Sequence, residues 1–342
     1  MGVKNFIQKH WYRSHPGPLW LLYPLELLFL VASWCKKNTT RKSLKPLPVP
    51  VLVVGNINVG GTGKTPTLIS LINFLQSKGL NPGVVSRGYG RVSDELIFVD
   101  ESSLSKDAGD EPLLIYESCL CPIAVHKNRR LAAEFLLEQA PECNVVLADD
   151  GLQHYRLERD FELALVDGAR EFGNRHLLPV GPLREKVTRL KSVDWLLLNV
   201  TQAKNLPREF VQSDFFEIQL EMGNLRNLST GNQCSIDSLN SEITVLAGIA
   251  NPQGFFSYVN GVLGPCHCES RPDHHAWTES DLLEFSGETI ITTTKDAVKM
   301  KEVLALNPGI DASAWWRLDV DMVLPDKLKE DIYLALMNWS NA

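Results

Sequence analysis

Two patterns of apolar positions alternate along the chain from about residue 51. Short continuous apolar runs are typical of buried parallel strands, and stretches with an apolar residue every three or four positions are typical of helices. Strands that alternate with helices predict an α/β fold with a doubly wound parallel sheet. Five predicted strands of the first part cover residues 51–54, 123–125, 145–149, 163–167 and 195–199, and a sixth begins at Pro82.

The second part of the chain opens and closes with a different pattern. Residues 216–222 and 316–323 alternate between apolar and polar positions, which predicts two exposed strands that pair as a ribbon joining two lobes. A second α/β pattern lies between them, and a final amphipathic helix follows. Its strands cover 243–247 and 289–293, its helix lies near 252–260, and the final helix covers 325–339. We expect an N-terminal helical segment, a larger sheet domain and a smaller α/β lobe, at 1–37, 45–215 and 216–342.

The stretch from Val51 to Pro66 has the order strand, Gly-rich turn and helix that a phosphate loop requires. Backbone N–H groups of such a turn bind phosphate oxygens, and the helix N-terminus adds positive potential. Lys64 is expected to reach the β- and γ-phosphates, and the Thr65 hydroxyl to ligate Mg²⁺. The alternative is an ordinary Gly-rich turn, because Asn58 replaces the first Gly of the usual motif. The predicted nucleotide-binding residues are Asn58, Val59, Gly60, Gly61, Thr62, Gly63, Lys64 and Thr65.

Asp149 and Asp150 end an apolar strand, as the metal-binding carboxylate of many phosphate-loop proteins does. One of the two can hold Mg²⁺ opposite Thr65, and the sequence leaves open which one. The alternative is that they cap the following helix. Glu111 is a further candidate metal ligand.

Arginine side chains can bind phosphate or neutralise the charge of a transferring phosphoryl group, because the guanidinium is a planar fork of donors. For any one of them, a surface salt bridge is the alternative. The candidates are Arg87, Arg91, Arg129, Arg130 and Arg184.

Asp110 lies in a Gly-Asp-Glu-Pro turn before a helix predicted at 113–119. A carboxylate there can orient an acceptor hydroxyl and take its proton, and the alternative is a helix N-cap. The loop 272–275 contains His274 and His275, either of which can assist that carboxylate if the second lobe closes over the first. Together with the Cys-His-Cys sequence at 266–268 they also permit a zinc site, although the C-x-C spacing is tighter than usual.

The nucleotide is expected to be ATP, because the guanine-reading Asn-Lys-x-Asp sequence of GTPases is absent. Asn199 is followed by Val-Thr-Gln, and Lys295 and Asp296 lack the intervening residue.

Composition and charge narrow the partners. The chain has 342 residues, of which 44% are hydrophobic and 22% charged, and its seven cysteines fit no disulfide framework, which favours a reducing compartment. Residues 1–45 contain eight Lys or Arg and one acidic residue, Glu26, so their net charge is +7. Since the whole chain has a net charge of −7, the remaining residues have a net charge of −14. So acidic a body argues against nucleic acid as the main partner.

Residues 18–35 are the most apolar stretch of the chain. The 11 residues after Pro24 would form a helix of roughly 16 Å, against about 30 Å of hydrocarbon core, and Glu26 would be costly at mid-bilayer. Trp11, Trp20 and Trp34, with basic flanks, suit a membrane interface. We expect a helix that lies on or dips into a membrane, whose removal leaves nucleotide binding largely intact; the alternative is a buried core helix.

Seven motifs in order resemble one family, tetraacyldisaccharide 4′-kinase, the lipid A 4′-kinase of Gram-negative bacteria. They cover residues 54–66, 86–90, 109–112, 149–154, 181–185, 272–275 and 293–296. In that family the first position of the phosphate loop is usually not Gly, so Asn58 is expected. The resemblance implies a P-loop NTPase-like sheet with a second α/β lobe, a two-stranded linker and an N-terminal membrane-associated helix.

The resemblance also implies an activity and roles for residues. The enzyme would transfer the ATP γ-phosphoryl group to the 4′-hydroxyl of a tetraacylated disaccharide 1-phosphate, at the cytoplasmic face of the inner membrane. Separately from the resemblance, we expect Mg²⁺ as a cofactor and a monomeric protein. Asp110 is implied as the catalytic base and a His of the 272–275 loop as its partner, with His274 favoured, while Lys64 and Arg184 complete the predicted catalytic set. The rival hypothesis is a membrane-associated P-loop ATPase that acts as a partner or chaperone.

Overall fold

The structure, a computed structural model, describes residues 3–40, 46–201, 214–239, 242–249 and 252–340. It contains two compact units. The first comprises Met1–Arg87, Cys121–Gln219 and Met322–Ala342, and the second comprises Gly88–Leu120 and Leu220–Asp321. Residues 41–45, with three of the eight basic residues of the N-terminal stretch, lie outside the described ranges.

The strands of the described residues fall where apolar or alternating runs predict them, with short additions. They are β1 Val51–Asn56, β2 Pro82–Ser86, β3 Ile97–Phe98, β4 Ile123–Val125, β5 Val145–Asp149, β6 Phe161–Asp167, β7 Trp195–Asn199, β8 Phe216–Asn227, β9 Gln233–Cys234, β10 Ile243–Ala247, β11 His267–Ser270, β12 Thr289–Thr293 and β13 Trp315–Val323.

The α-helices of the described residues are α1 Val3–Trp11, α2 Tyr23–Thr40, α3 Lys64–Ser77, α4 Ser105–Ala108, α5 Asp110–Cys119, α6 Arg129–Gln139, α7 Pro252–Leu263, α8 Glu279–Leu283, α9 Thr294–Leu306 and α10 Asp326–Met337. Helix α5 begins earlier and α7 ends later than their apolar spacing predicts, whereas α10 is shorter than the predicted 325–339. Arg129 and Arg130, two of the candidate arginines, are the first residues of α6. Helix α5 begins at Asp110 and not at residue 113.

The first unit is built on a parallel sheet in the order β7-β6-β1-β5-β2-β4. Strand β1 is buried along its whole length because it lies between β5 and β6. Val54 of β1 is opposite Asp149 of β5, so the turn that follows β1 and the carboxylates that follow β5 leave the same edge of the sheet. Ligands of doubly wound sheets bind at that edge.

The second unit has a sheet in the order β11-β10-β12-β13-β8, in which the pairs among β10 to β13 are parallel. The predicted pairing of the two alternating segments is confirmed, since β8 and β13 are hydrogen-bonded neighbours. Both strands are also longer than their alternating patterns. The core of this unit lies on both faces of β10 and β12, with Trp315 among its fully buried side chains.

The N-terminal segment consists of α1, a 3₁₀ turn at Gly17–Leu22 and α2. Leu28 is 65% exposed, and Trp20, Leu21, Val31 and Trp34 are also exposed, so the alternative of a buried core helix is wrong. Helix α2 has 18 residues and is longer than the expected 11. By length and composition, Gly17–Cys35 is long and apolar enough to cross a membrane.

Two residues of this segment face the protein and not the exposed side. Glu26 is only 8% exposed, so its charge does not lie on the exposed side of α2. The Trp11 indole, expected at a membrane interface, donates a hydrogen bond to the Pro179 carbonyl at 3.0 Å.

Candidate functional site

The phosphate loop, residues 58–65, connects β1 to α3 in the first unit. Gly63 has a left-handed φ of 91°, and a Cβ at this position would lie 2.8 Å from Met322 Cε and 2.9 Å from Asn199 Nδ2. Both the backbone angle and the space therefore require Gly. Helix α3 begins at the next residue, Lys64, so the N–H groups of its first turn point toward the loop, as the phosphate-loop prediction requires.

Two asparagines brace the phosphate loop from outside. Asn58 Nδ2 donates to the Glu171 carbonyl at 2.6 Å, and Asn199 Nδ2 donates to the Thr62 carbonyl at 3.2 Å. Asn58, which replaces the first Gly of the usual motif, is thus buried and connects the phosphate loop to Glu171. Asn199 follows no guanine-binding motif, and in the structure it supports the phosphate loop. No local sequence pattern predicts this role, because its partner Thr62 is 137 residues away.

The carboxylate of Asp150 contacts both Lys64 and Arg184. Asp150 accepts from Arg184 Nη1 at 2.8 Å and lies 3.5 Å from Lys64 Nζ. Burial raises the pKa of Asp150, but the positive charges of Lys64, Arg184 and Arg129 outweigh it and hold that pKa well below its usual range. Asp150 has a left-handed φ of 47°, unusual outside Gly and common at functional sites. Lys64 and Arg184 are therefore held side by side.

Asp149 is the last residue of β5 and is buried. Its Oδ2 accepts from the Ser86 hydroxyl at 3.1 Å, and its backbone carbonyl accepts from Arg129 Nη2 at 3.1 Å. Burial lowers the pKa of Arg129 to about 10, against the raising effect of Asp149 and Asp150. Arg129 is thus a buried support of the two carboxylates and not a surface salt bridge.

The residues of the first unit fit a nucleoside triphosphate with a divalent cation. The Thr62 hydroxyl oxygen is buried and has no hydrogen-bond partner among the described residues, so it can accept or donate to a ligand. Lys64 and Arg184 supply positive charge for phosphate oxygens. Asp149, Asp150 and the buried Thr65 supply the oxygen ligands that Mg²⁺ prefers. The choice between Asp149 and Asp150 stays open.

The central contact of the second unit joins Asp110 to His274. His274 Nδ1 lies 3.0 Å from Asp110 Oδ2, while Asp110 Oδ1 accepts the Glu111 N–H at 3.1 Å. The pair was expected to form only on closure of two lobes; that expectation is wrong, because both residues belong to one compact unit. The N-cap of α5 is Gly109, so Asp110 is not the helix cap of the alternative hypothesis.

The pairing shifts both pKa values. Burial raises the pKa of Asp110, but the His274 hydrogen bond and the charges of Lys295 and Lys299 outweigh it and leave that pKa below its ordinary value. The hydrogen bond to Asp110 raises the pKa of His274, against the lowering effect of burial. The Tyr89 ring lies beside the imidazole, with 5.0 Å between centroids. Asp110 is therefore an ionised carboxylate with a fixed partner.

The position of His274 depends on a buried carboxylate, Asp296. The His274 backbone has a left-handed φ of 59°, and its N–H donates to the Gly248 carbonyl at 3.1 Å. Asp296 in turn accepts from Gly248 N–H at 2.8 Å, Trp277 Nε1 at 3.0 Å and the Thr293 hydroxyl at 2.6 Å. Asp296 is completely buried, so these donors compensate its desolvation. The Thr-Thr-Lys-Asp sequence at 293–296 thus fixes the loop that carries His274.

Two lysines of α9 lie beside carboxylates of the second unit. Lys299 Nζ lies 3.9 Å from Asp110 Oδ2 and 3.8 Å from Asp296 Oδ1, and it is largely buried. Lys295 forms an ion pair with Glu111. Glu111 therefore already has a cationic partner in this unit, and its role as a metal ligand stays a prediction. Sequence reasoning missed Lys299, because a Lys in an amphipathic helix carries no signal of its own.

The remaining candidates make local contacts. Arg130 pairs with Glu134 at 2.7 Å, one helical turn away, and Arg91 donates to the Glu95 carbonyl. Arg87 is exposed at the end of β2. His275 lies 3.3 Å from Asp281 and not beside Asp110, so the preference for His274 as its partner agrees with the contacts. Within the described ranges no group of three or more His, Cys, Asp or Glu could hold a metal ion, and the zinc alternative therefore lacks support.

Comparison with known proteins places these residues in one family. The family described as tetraacyldisaccharide-1-P 4′-kinase matches residues 18–337. The chain belongs to this family. The resemblance inferred from the seven motifs is thereby confirmed.

Relatives named tetraacyldisaccharide 4′-kinase match almost the whole chain. That of Photobacterium profundum is 41% identical over 335 residues, covering 93% of this chain and 92% of the relative. That of Vibrio cholerae is 39% identical over 342 residues, covering 95% and 97%. A crystal structure of LpxK from Aquifex aeolicus, described as its "apo" form in complex with ATP, is 28% identical with a TM-score of 0.73 and covers 93% of this chain and 99% of its own. The predicted α/β fold class is therefore confirmed.

Proposed function

We propose that this protein is a lipid kinase that transfers the γ-phosphoryl group of ATP to the 4′-hydroxyl of a tetraacyldisaccharide 1-phosphate, a step of lipid A biosynthesis. The observation that carries the proposal is the bond between Asp110 and His274 in a member of this kinase family. An alcohol that attacks a phosphoryl group must lose its proton, and a carboxylate held by a second group is suited to accept it.

The proposed reaction assigns a task to each unit. In the first, the phosphate loop binds the triphosphate, with Lys64 and Arg184 on its charged oxygens. In the second, Asp110 accepts the proton of the acceptor hydroxyl, and His274 holds the carboxylate in position. A bond forms between that hydroxyl oxygen and the γ-phosphorus as the bond from the γ-phosphorus to the β,γ-bridging oxygen breaks. ADP leaves with the electron pair of the broken bond.

The proposed cofactor is Mg²⁺, which when bound neutralises charge on the β- and γ-phosphates. Thr65 and one or both of Asp149 and Asp150 would hold it, with Glu111 as a further candidate. No stage of the proton transfer to Asp110 depends on it.

The proposed location is the cytoplasmic face of the bacterial inner membrane. Exposed apolar side chains along α2, with Trp20 and Trp34 among them, support contact with lipid. The acceptor would then be reached from the membrane surface. We expect a monomer that binds no nucleic acid.

One experiment separates this function from its rival, a membrane-associated P-loop ATPase. The full chain is given γ-labelled ATP, Mg²⁺ and the tetraacyldisaccharide 1-phosphate in mixed detergent micelles. Label in the lipid is the expected result, and it should vanish when Lys64 is replaced by Ala. Label found only in free phosphate would overturn the kinase proposal in favour of the ATPase.

A further inference from the structure

We propose that Glu26 and Trp11, in the membrane-facing segment, are positioning residues for the phosphate loop. They act through the loop at residues 168–185, here called the 168–185 loop. The inference rests on the proposed function in so far as it assumes that the phosphate loop binds ATP. It assigns the N-terminal segment a second task besides membrane contact.

The first link joins α2 to the 168–185 loop through both oxygens of one carboxylate. Glu26 Oε1 accepts the Leu177 N–H at 2.8 Å, and Glu26 Oε2 lies 3.0 Å from His176 Nδ1. Glu26 is almost completely buried although neighbouring side chains such as Leu28 are exposed. A carboxylate in an apolar helix is costly unless donors compensate it, and here the 168–185 loop provides them.

The second link joins the end of α1 to the same loop and to the phosphate loop itself. Trp11 Nε1 donates to the Pro179 carbonyl at 3.0 Å, and the Trp11 carbonyl accepts the Asn174 N–H at 2.7 Å. The next residue, Tyr12, donates from its hydroxyl to the Val59 carbonyl at 3.3 Å. The N-terminal segment therefore contacts the phosphate loop directly as well as through the 168–185 loop.

The third link joins the 168–185 loop to the nucleotide site. The Pro182 carbonyl accepts the Val59 N–H at 2.8 Å, the Arg184 N–H donates to the Ile57 carbonyl at 2.7 Å, and the Glu171 carbonyl accepts from the Asn58 side chain. Arg184 then places its guanidinium on Asp150. A shift of the 168–185 loop would thus move the start of the phosphate loop, and it would also move Arg184, one of the two cations beside Asp150.

The 168–185 loop is closely packed enough to transmit such a shift. The Asn174 side chain donates to the Val180 carbonyl at 3.0 Å and accepts the His176 N–H at 3.1 Å. A Cβ on Gly181 would lie 2.2 Å from the Asn174 side-chain oxygen and 2.3 Å from the His176 carbonyl. This close approach requires Gly at the start of the Gly-Pro-Leu-Arg-Glu motif, and it fixes the side of the loop that meets Glu26 relative to the side that meets Arg184.

This inference changes the expectation for removal of the N-terminal segment. From the sequence, deletion of residues 1–37 was expected to leave nucleotide binding largely intact. The contacts of Trp11, Tyr12 and Glu26 favour weaker nucleotide binding after the deletion, because it would remove the acceptors of the Leu177 and Asn174 N–H groups in the 168–185 loop.

The test compares inward and outward residues of the segment in the full chain, and its nucleotide-binding arm uses detergent micelles without lipid substrate. The variants Glu26→Ala, Glu26→Gln and Trp11→Phe remove an acceptor pair, a charge and one N–H donor respectively. Leu28→Ser is the matched control on the exposed side of α2. Dissociation constants for a fluorescent ATP analogue, binding to anionic phospholipid vesicles, and kcat and KM for MgATP with micellar lipid are measured for each.

We expect Glu26→Ala to weaken nucleotide binding roughly five- to tenfold, with smaller losses for Glu26→Gln and Trp11→Phe, while vesicle binding stays close to that of the wild type. Leu28→Ser should show the reverse, weaker vesicle binding with the nucleotide affinity of the wild type. Thermal unfolding identifies any variant that fails to fold, and Trp11→Phe, which keeps the ring and loses one donor, remains informative if Glu26→Ala does not fold.

The possible failures are distinguishable. If the wild type binds no nucleotide, or binds it as well after Lys64→Ala, the proposed function itself fails and this inference fails with it. If the wild type binds and Lys64→Ala does not, but folded Glu26 and Trp11 variants bind nucleotide and turn over MgATP like the wild type, only the inference is overturned. The N-terminal segment would then be a membrane anchor alone.

Discussion

His274 Nδ1 lies 3.0 Å from Asp110 Oδ2, and the two residues, 164 positions apart in sequence, belong to the same compact unit. The pair therefore exists as part of the fold of that unit. His274 adopts a left-handed backbone angle to reach the carboxylate, and such angles persist only where the surroundings impose them. Asp296 provides that constraint through Gly248.

The Asp110–His274 pair is expected to act as one catalytic unit. Asp110→Ala should lower kcat by about 10²–10⁴ and leave the KM for ATP nearly unchanged, because the proton acceptor is lost but the phosphate loop is not. His274→Ala should have a smaller effect of the same kind. The double variant should be little worse than Asp110→Ala. Steady-state kinetics on micellar lipid checks this, and fully multiplicative losses would show that the two residues act independently.

The pairing should also make stability depend on pH. The pKa of His274 is raised above 6.5, so its pairing is complete below that value and is lost as pH rises through the raised pKa. The pKa of Asp110 is lowered below 3.8, so its contribution is complete above that value and is lost as pH falls through the lowered pKa. The Tm difference between the wild type and His274→Asn should therefore be larger near pH 5 than near pH 8. A difference that grows toward alkaline pH would contradict the ion pair.

The support that Asp296 and Lys299 give to this pair can be tested with a control on the same helix. Asp296→Asn places an amide where three donors converge, and Lys299→Met removes a buried charge beside Asp110. Both should lower kcat at least about tenfold and keep the KM for ATP.

The matched control for these two variants is Lys301→Met. Lys301 pairs with Glu117 at 3.3 Å on the surface, and exposed pairs contribute only about 0–1 kcal/mol. We expect activity and Tm close to those of the wild type. If Lys299→Met is equally silent, Lys299 has no role in positioning Asp110.

Lys64 and Thr65 should be essential for phosphoryl transfer. In the proposed mechanism Lys64→Ala would lose charge on the γ-phosphate and Thr65→Ala a ligand of Mg²⁺, so each should remove most of the activity. Turnover at saturating MgATP, with unfolding curves to show that the variants fold, is the measurement. Near wild-type turnover in both would contradict the phosphate-loop assignment.

The two glycines of the phosphate loop on either side of Thr62 should differ in their tolerance of Ala. Gly63→Ala forces a Cβ into a left-handed residue 2.8 Å from Met322 Cε, whereas a Cβ on Gly61 meets nothing within 4 Å. Strained residues of this kind cost about 1–3 kcal/mol. We therefore expect the Tm to fall for Gly63→Ala and to change little for Gly61→Ala. Equal Tm values would mean that the loop adopts another conformation.

Local patterns were sufficient to predict ten of the thirteen strands in the described residues, because buried runs such as that of β5 are continuous and apolar, whereas the short strands β3, β9 and β11 were missed. They also located Lys64, Asp150, Asp110 and Arg184, since these residues belong to recognisable motifs. Helix starts were less predictable. Helix α5 begins at Asp110 because Gly109 supplies the backbone turn and His274 holds the carboxylate, and neither effect is visible in apolar spacing.

Residues whose role comes from a distant partner could not be predicted in this way. Asn58 departs from the usual motif because its side chain is tied to Glu171, 113 residues later. Glu26 is a charge within an apolar run until its partner His176, 150 residues away, is known. Lys299 has the spacing of an ordinary surface Lys, and only the fold brings it to Asp110.

The buried carboxylate of Glu26 also limits how this chain can be recombined with its relatives. An anchor that is joined to an enzyme only by a linker is modular and can be exchanged for another of similar length. Here the helix and residues 168–185 share hydrogen bonds and would have to be inherited together. Chimeras that carry residues 3–40 of a relative should be fully active only when residues 168–185 come from the same relative. Equal activity of mismatched chimeras would show that the anchor is exchangeable after all.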